Sequence, residues 1–206
     1  MKKTEKAVKR IITMLLMLCV LALSVPVTGQ AASPSAQAKK SVNTFFQAVK
    51  SVKVTKMERC LEPHAEFIFQ QPYLLRNILR PYCKKTTWKI KGCKVRGERA
   101  VVRVRVDYES LRESYETALD DMLHYAIRHP GVTEEVLLRQ CIRSFKRDAE
   151  KYGSTGYYYS NLKIHLRKVG GKWKITKPVD ELVNIASCGS LDGLDDFLGT
   201  ERGEYK

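Results

Sequence analysis

Residues 161–176, NLKIHLRKVGGKWKIT, alternate apolar and charged side chains on both sides of a double glycine. Strict alternation of this kind predicts a half-buried strand on each side, and Gly170–Gly171 can supply the positive φ angles of a two-residue hairpin turn. A phosphate-binding glycine loop would be followed by a helix, whereas here the alternation resumes at once. The stretch therefore predicts an antiparallel hairpin with one apolar face and one basic face.

A similar alternation precedes it, in TTWKIKGCKV at 86–95 and AVVRVRVDY at 100–108. RGER at 96–99 predicts the turn between these two segments. Gly92 predicts a β-bulge in the first of them, because glycine inside a strand often marks one. Together the two hairpins predict a curved antiparallel sheet of about four strands.

Apolar residues recur at helical spacing in three segments before the sheet, and again after the last strand. The third of the early segments is expected to run from Pro72 to Pro81. A longer helical pattern at about 109–153 is broken by HPG at 129–131. The predicted fold class is α+β, with N-terminal helices packed on the sheet and a helical insertion between its second and third strands.

The first 31 residues have the layout of a secretory signal peptide. A basic start is followed by an apolar run at 11–23 and then by small residues up to Ala31. That run is about 13 residues long, whereas a membrane-spanning helix needs roughly 20. We therefore predict cleavage near Ala31 and a secreted or cell-envelope-associated protein, with an uncleaved membrane anchor as the alternative.

Composition then divides the rest of the chain into three parts. Residues 32–39 are small and polar and predict a short linker. Residues 40–188 carry the helical and strand patterns and predict the domain. Residues 189–206 are rich in glycine and aspartate and predict a tail that is ordered only in part.

The chain is strongly basic, with a formal net charge of +15. Removal of residues 1–31 would take away five of the 37 basic residues and one of the 22 acidic ones, which leaves +11. Outside a cell, a charge of this sign favours anionic cell-wall polymers or acidic membrane surfaces as partners. Nucleic acid is not expected, because the cations are not interleaved with stacking aromatics.

Five cysteines follow residue 31: Cys60, Cys83, Cys93, Cys141 and Cys188. None of them forms a CxxC or Cys/His spacing typical of a metal site, so we predict no metal and no cofactor. Export would permit disulfides, and an odd count would leave at least one thiol unpaired. The sequence does not choose among the roughly fifteen pairings of four of them, or between paired and fully reduced cysteines.

Three segments together resemble the nuclear transport factor 2-like superfamily, and in particular its secreted bacterial members of unknown function. They are SVNTFFQAVKSVKVTKMERCLEP at 41–63, GERAVVRVRVDY at 97–108 and LKIHLRKVGGKWKI at 162–175. The resemblance implies a cone-shaped α+β fold over most of residues 40–190. This fold hosts isomerases, dehydratases, transport receptors and plain binding domains, so it implies no single function.

One side of the predicted sheet is apolar, and we expect it to face the helices. It comprises Trp88, Ile90, Val102, Val104, Val106, Leu162, Ile164, Leu166, Trp173 and Ile175. Among the inward strand positions only Tyr108 brings a titratable group, although acid–base catalysis needs such a group aimed at the substrate. We therefore predict no catalytic residues. A small-molecule isomerase or dehydratase with a pocket in the cone is the alternative, with His64 and Glu66 as its candidate pair.

The other side of the predicted sheet is cationic. Its predicted anion-binding residues are Lys89, Lys91, Arg103, Arg105, Lys163, Arg167, Lys172 and Lys174, with His165 among them. A charged exposed face needs no partner, so a merely solvated surface is one interpretation. The others are an anionic polymer or membrane, and an acidic protein face such as the helix at 109–120 of the same chain or of a second copy in a homodimer. The function predicted is a non-catalytic binding or assembly module at a bacterial cell surface.

Overall fold

The computed structural model describes residues 32–62, 78–154 and 156–193. The helices are α1 (Pro34–Lys50), α2 (Val54–Glu58), α3 (Arg80–Cys83), α4 (Arg112–Arg128), α5 (Glu134–Tyr152) and α6 (Val179–Ala186). The strands are β1 (Thr87–Arg96), β2 (Arg99–Glu109), β3 (Tyr157–Val169) and β4 (Lys172–Lys177). This order confirms the predicted α+β class.

The four strands form one antiparallel sheet in the order β1-β2-β3-β4. The β3–β4 turn is the predicted one, with φ of 53° at Gly170 and 77° at Gly171. Glu109 at the end of β2 pairs with Tyr157 at the start of β3. The helical insertion, α4 and α5, therefore leaves the sheet and returns to it at the same end.

The apolar side of the sheet packs against α1 and α6 in a single cluster. Eight of the ten predicted inward residues belong to it, and the other two, Trp88 and Ile90, are half-buried and pack against it. Phe46 of α1 is fully buried and stacks on Trp88, with ring centroids 5.5 Å apart. The indole Nε1 of Trp88 donates a hydrogen bond to Asn43 Oδ1 at 2.8 Å. The half-buried indole is thus held by a ring contact on its face and by a hydrogen bond from its Nε1, the polar end of the side chain.

The predicted bulge at Gly92 is confirmed, and it changes which residues face outward. The pairing of β1 with β2 shifts between Ile90 and Gly92. After the shift, Cys93 and Val95 are the residues that pack against the apolar cluster. Because side chains alternate along a strand, the basic residues Lys94 and Arg96 then lie on the outer side.

Two sequence interpretations at helix ends were wrong. The predicted linker at 32–39 instead supplies the first turns of α1, which begins at Pro34. Proline is tolerated in a first helical turn, and Ala38 is fully buried, so packing draws this segment into the helix. Pro81 was expected to end a helix, but it lies in the first turn of α3. The expected start of that helix, at Pro72, is outside the described residues.

A second apolar cluster lies beneath the α4–α5 hairpin. Tyr115 of α4 stacks on Phe145 of α5 at 4.3 Å, and both are buried. The Tyr115 hydroxyl donates to the Ser187 carbonyl at 2.9 Å, which ties α4 to the segment after α6. The cluster also contains Ile78, Leu79, Cys83, Leu111, Ala118, Ala149 and Cys188.

The start of the predicted tail packs against the domain. Gly189 has φ of 88°, and a Cβ there would lie 2.4 Å from Ser110 Oγ. Buried Asn184 accepts hydrogen bonds from the backbone N–H groups of Leu191 at 3.0 Å and Asp192 at 3.2 Å. Residues 194–206 are outside the described part. Among the described residues, no helix is both long and apolar enough to cross a membrane.

Candidate anion-binding face

The outer side of the sheet, which we call the basic face, carries all eight predicted anion-binding residues. Seven of them are exposed, and Lys174 is half-buried. Strand alternation accounts for this arrangement, because each of these residues neighbours a residue of the apolar cluster. The geometry thus places the predicted residues on one surface.

Cross-strand pairing sets four cations in a row across the sheet, one from each strand. Arg96 is opposite Arg99, Arg99 is opposite Arg167, and Arg167 is opposite Lys174. With neighbouring strands about 4.8 Å apart, the row spans roughly 14 Å. Like charges directly opposite each other destabilise a sheet. An anion lying along the row would relieve that repulsion.

A second row lies further along the strands, where Gly92 is opposite Arg103 and Arg103 is opposite Lys163. The Arg103 guanidinium reaches across β1 above Gly92, because a Cβ built at Gly92 would lie 3.2 Å from Arg103 Nη2. The glycine therefore leaves room for the guanidinium to lie flat against the sheet. Lys94 is next to this row and opposite Val101.

The basic face contains three further cations that the sequence pattern did not predict: Lys94, Arg96 and Arg99. The sequence does contain a signal for Lys94 and Arg96. Before Gly92 the apolar residues are at even positions, Trp88 and Ile90, whereas after it they are at odd positions, Cys93 and Val95, so the inward-facing positions change by one. Arg99 and Arg96 were assigned to a turn, but they form the closing pair of the β1–β2 hairpin.

Some of the cations are already engaged by neighbours. Arg105 pairs with Asp107 at 3.0 Å and lies over the Tyr159 ring, 4.9 Å from its centroid. Arg167 pairs with Glu62 at 2.7 Å. Lys174 Nζ donates to the Arg59 carbonyl.

The remaining cations of the basic face make no ion pair with any described residue. They are Lys89, Lys91, Lys94, Arg96, Arg99, Arg103, Lys163 and Lys172. In particular, none pairs with α4, the internal acidic candidate. Position 109 was expected to begin that acidic helix, but Glu109 is a buried β2 residue whose carboxylate accepts hydrogen bonds from Lys85 Nζ at 2.7 and 3.0 Å.

Two open clefts indent the basic face, one on each side of Arg99. One has a volume of about 630 Å³ and is bordered by His165, Arg167 and Lys177. The other has a volume of about 520 Å³ and is bordered by Lys94, Arg103 and Lys163. Arg99 and Val101 line both. A chain-like anion could therefore pass over Arg99 and contact cations in both clefts.

The apolar side of the sheet presents no acid–base pair among the described residues. Tyr108 is buried, and burial raises the pKa of its phenol far above the ordinary value, so the group stays protonated at neutral pH. The catalytic candidates His64 and Glu66 lie outside the described residues. Within the described part of the chain, no cluster of three histidine, cysteine or acidic side chains could hold a metal ion.

Comparisons with known proteins do not assign the chain to a family. No family model matches the chain, and no curated protein is similar to it in sequence. A crystal structure of YcdA, a candidate lipoprotein of Bacillus subtilis, aligns with 14% identity and a TM-score of 0.36. The alignment covers 71% of this chain and 46% of YcdA, so the chain spans about half the length of that protein. Likeness at this level supports no statement about fold or function.

Proposed function

We propose that this chain is an exported, non-catalytic binding module of the bacterial cell surface, whose basic face holds an anionic cell-wall polymer. The observation that carries the proposal is the set of eight cations on the basic face that make no ion pair with any described residue, with Arg96 and Arg99 directly opposite each other. The resemblance to nuclear transport factor 2-like proteins belongs to the same proposal, since that fold hosts binding modules that lack catalysis.

A flexible polyanion suits this surface better than a membrane does. Proteins that lie on membranes commonly insert apolar side chains beside their cations. The exposed side chains Leu123, Ile127 and Leu138 are on α4 and α5. The exposed apolar residues of the sheet lie at the two ends of β3 rather than within the cationic rows: Tyr157, Tyr158, Tyr159 and Val169. The basic face offers instead a grid of long, flexible cations over two clefts, which can follow a chain of repeated phosphates or carboxylates.

The packed apolar side of the sheet favours this function over the isomerase or dehydratase alternative. The ten inward residues belong to, or pack against, the cluster that also contains residues of α1 and α6. The titratable group on the same side of the sheet, at Tyr108, is held protonated by burial. Binding by the outer cations requires no cavity on that side.

Neutralising three unpaired cations of the basic face tests the proposal. The variant Lys94→Gln, Arg103→Gln, Lys163→Gln should bind long-chain inorganic polyphosphate roughly 10- to 100-fold more weakly at low salt, by the usual worth of exposed charge pairs. The slope of log affinity against log salt should also fall by about 2, because fewer counterions are released on binding. Isothermal titration calorimetry over a series of salt concentrations measures both quantities.

The matched control is Lys40→Gln, Lys50→Gln, Arg143→Gln. It also removes three positive charges, but from exposed positions on helices instead of the basic face. It should leave the affinity and its salt slope nearly unchanged. Equal losses in the two variants would mean that net charge alone drives binding and would overturn the proposal. Tighter binding to vesicles of phosphatidylglycerol than to polyphosphate or synthetic poly(glycerol phosphate) would reassign the face to a membrane.

A further inference from the structure

Two cysteines far apart in sequence meet inside the second apolar cluster. The Sγ atoms of Cys83 and Cys188 lie 3.6 Å apart although 105 positions separate them along the chain. Both side chains are at most 1% exposed. This contact is independent of the basic face and of anything that binds there.

The backbone on both sides of this contact is held in place. Cys83 is the last residue of α3, and its neighbour Lys84 donates its N–H to the Arg80 carbonyl at 3.1 Å. The Cys188 carbonyl accepts from the Leu111 N–H at 2.7 Å. Cys188 also has φ of 57°, a left-handed conformation that residues other than glycine adopt only when their surroundings impose it.

We propose that Cys83 and Cys188 form a structural disulfide in the exported protein. The Sγ atoms must approach from 3.6 Å to the bond length of about 2.05 Å, a change that side-chain rotation and small shifts of α3 can supply. The bond would join the segment before β1 to the segment after α6. It would close a long loop around the whole sheet and the α4–α5 hairpin.

The chemistry requires an external oxidant. The two thiols lose two protons and two electrons as the Sγ–Sγ bond forms, and the electrons reduce the disulfide of a thiol–disulfide oxidoreductase or of a small-molecule disulfide to two thiols. The predicted signal peptide at 1–31 would deliver the chain to a compartment where such oxidants act.

The timing of the reaction follows from burial. The contact with Cys83, together with burial, raises the pKa of the Cys188 thiol well above its ordinary value. Because the thiolate is the attacking species, exchange is slow once the cluster has closed. Oxidation therefore takes place while the chain folds, and the completed bond is shielded from reductants by the surrounding side chains.

The other three cysteines serve as internal references. Cys60 belongs to the sheet cluster, Cys93 is on β1, and Cys141 is at the margin of the second cluster. In the described structure none of the three has a sulfur partner in contact. With one disulfide formed, three of the five described cysteines remain free thiols.

The test uses the full chain in two preparations. One is exported under its own leader in a bacterial host and isolated from the envelope fraction; the other is purified, unfolded and refolded in a glutathione redox buffer. Alkylation under denaturing conditions, followed by peptide mass mapping, should label Cys60, Cys93 and Cys141 without reductant and all five cysteines after residue 31 with it; Cys19 is counted separately in any chain that retains the leader. The oxidised protein should melt about 5–10 °C above the reduced protein, because the cross-link restricts the unfolded chain.

Variants separate the cross-link from simple packing. The protein with Cys83→Ala and Cys188→Ala should melt at the same temperature with and without reductant, whereas Cys141→Ala should retain the difference. Labelling of Cys83 and Cys188 without reductant in the refolded protein, or a bond from Cys141 to either of them, would overturn the proposal. Binding of polyphosphate by the Cys83→Ala, Cys188→Ala protein should be unchanged. A failure of the disulfide proposal can therefore be distinguished from a failure of the anion-binding proposal.

Discussion

Gly92 shows how one residue without a side chain shapes the basic face. It occupies the bulge of β1, and the Arg103 guanidinium from β2 lies over it. A larger residue would project into the space that the guanidinium fills. The bulge also turns Lys94 to the same side, although a side chain at position 92 itself would meet only Arg103.

Gly92→Val should weaken binding without weakening the fold. Valine favours strands, so the free energy of unfolding should change by less than about 1 kcal/mol. The Arg103 guanidinium must move away from the added methyl groups, and affinity for polyphosphate should fall about two- to fivefold. Calorimetric titration measures the loss, and urea denaturation measures the stability.

A double-mutant cycle makes this prediction specific to Arg103. In the Arg103→Gln background, Gly92→Val should cause no further loss of affinity, because the displaced group is already gone. Equal losses in the two backgrounds would show that the valine disturbs the sheet rather than the guanidinium.

At the scale of elements, the α4–α5 hairpin is fastened by a polar contact between its helices. Asp121 of α4 accepts hydrogen bonds from the Ser144 hydroxyl and from Arg147 Nη2, the latter at 2.7 Å. The hydrogen bond from Ser144 has the larger effect and the one from Arg147 the smaller, and together they hold the pKa of the Asp121 carboxyl below its ordinary value. The ionised form is therefore bound more strongly in the folded hairpin than in the unfolded chain.

The stabilisation from Asp121 should depend on pH in a defined direction. A lowered folded-state pKa gives stability that is complete above the ordinary aspartate pKa and is lost as the pH falls through the folded value. Asp121→Asn should therefore reduce the free energy of unfolding at pH 7, by up to about 1 kcal/mol after allowance for solvent screening. The difference should be smaller at an acidic pH, below the ordinary aspartate pKa, because the wild-type carboxyl gains a proton as the pH falls through its lowered folded-state pKa.

Urea denaturation at the two pH values measures the effect, and Asp120→Asn is the neighbouring control. Asp120 is more exposed and has a contact to His124 on its own helix. If Asp121→Asn lowers the free energy of unfolding by the same amount at both pH values, the ionised Asp121 carboxyl is not the source of the stabilisation.

At the scale of the whole molecule, the two apolar clusters are in contact with a common residue and are joined by a backbone hydrogen bond. Val54 of α2 packs against both of them. The Leu111 N–H donates to the Cys188 carbonyl at 2.7 Å, which joins the start of α4 to the segment that follows α6. The hairpin and the sheet are thus expected to unfold together.

Phe145→Ala in the second cluster should lower the stability of the entire domain. Removal of a buried phenylalanine costs roughly 3–5 kcal/mol, and the loss should appear in one transition. Far-UV circular dichroism and near-UV signals from the two tryptophans of the sheet should give the same midpoint. A hairpin transition that separates from an unshifted sheet transition would contradict this expectation.

Local patterns predicted the sheet and the greater part of its basic face. Alternation along a strand assigns side chains to opposite faces whatever the rest of the chain does, which is why all ten apolar positions were assigned correctly. The double glycine likewise predicted its turn, because positive φ angles are a local requirement.

Tertiary structure decided what depends on contacts between distant residues. Pairing across the bulge turned Lys94 and Arg96 outward, and packing of Ala38 extended α1 over the expected linker. The burial of Glu109 and the approach of Cys83 to Cys188 likewise arise from segments that no sequence period relates. A periodic pattern records the side of an element on which a residue lies, whereas its neighbour across the fold is set by how the elements pack.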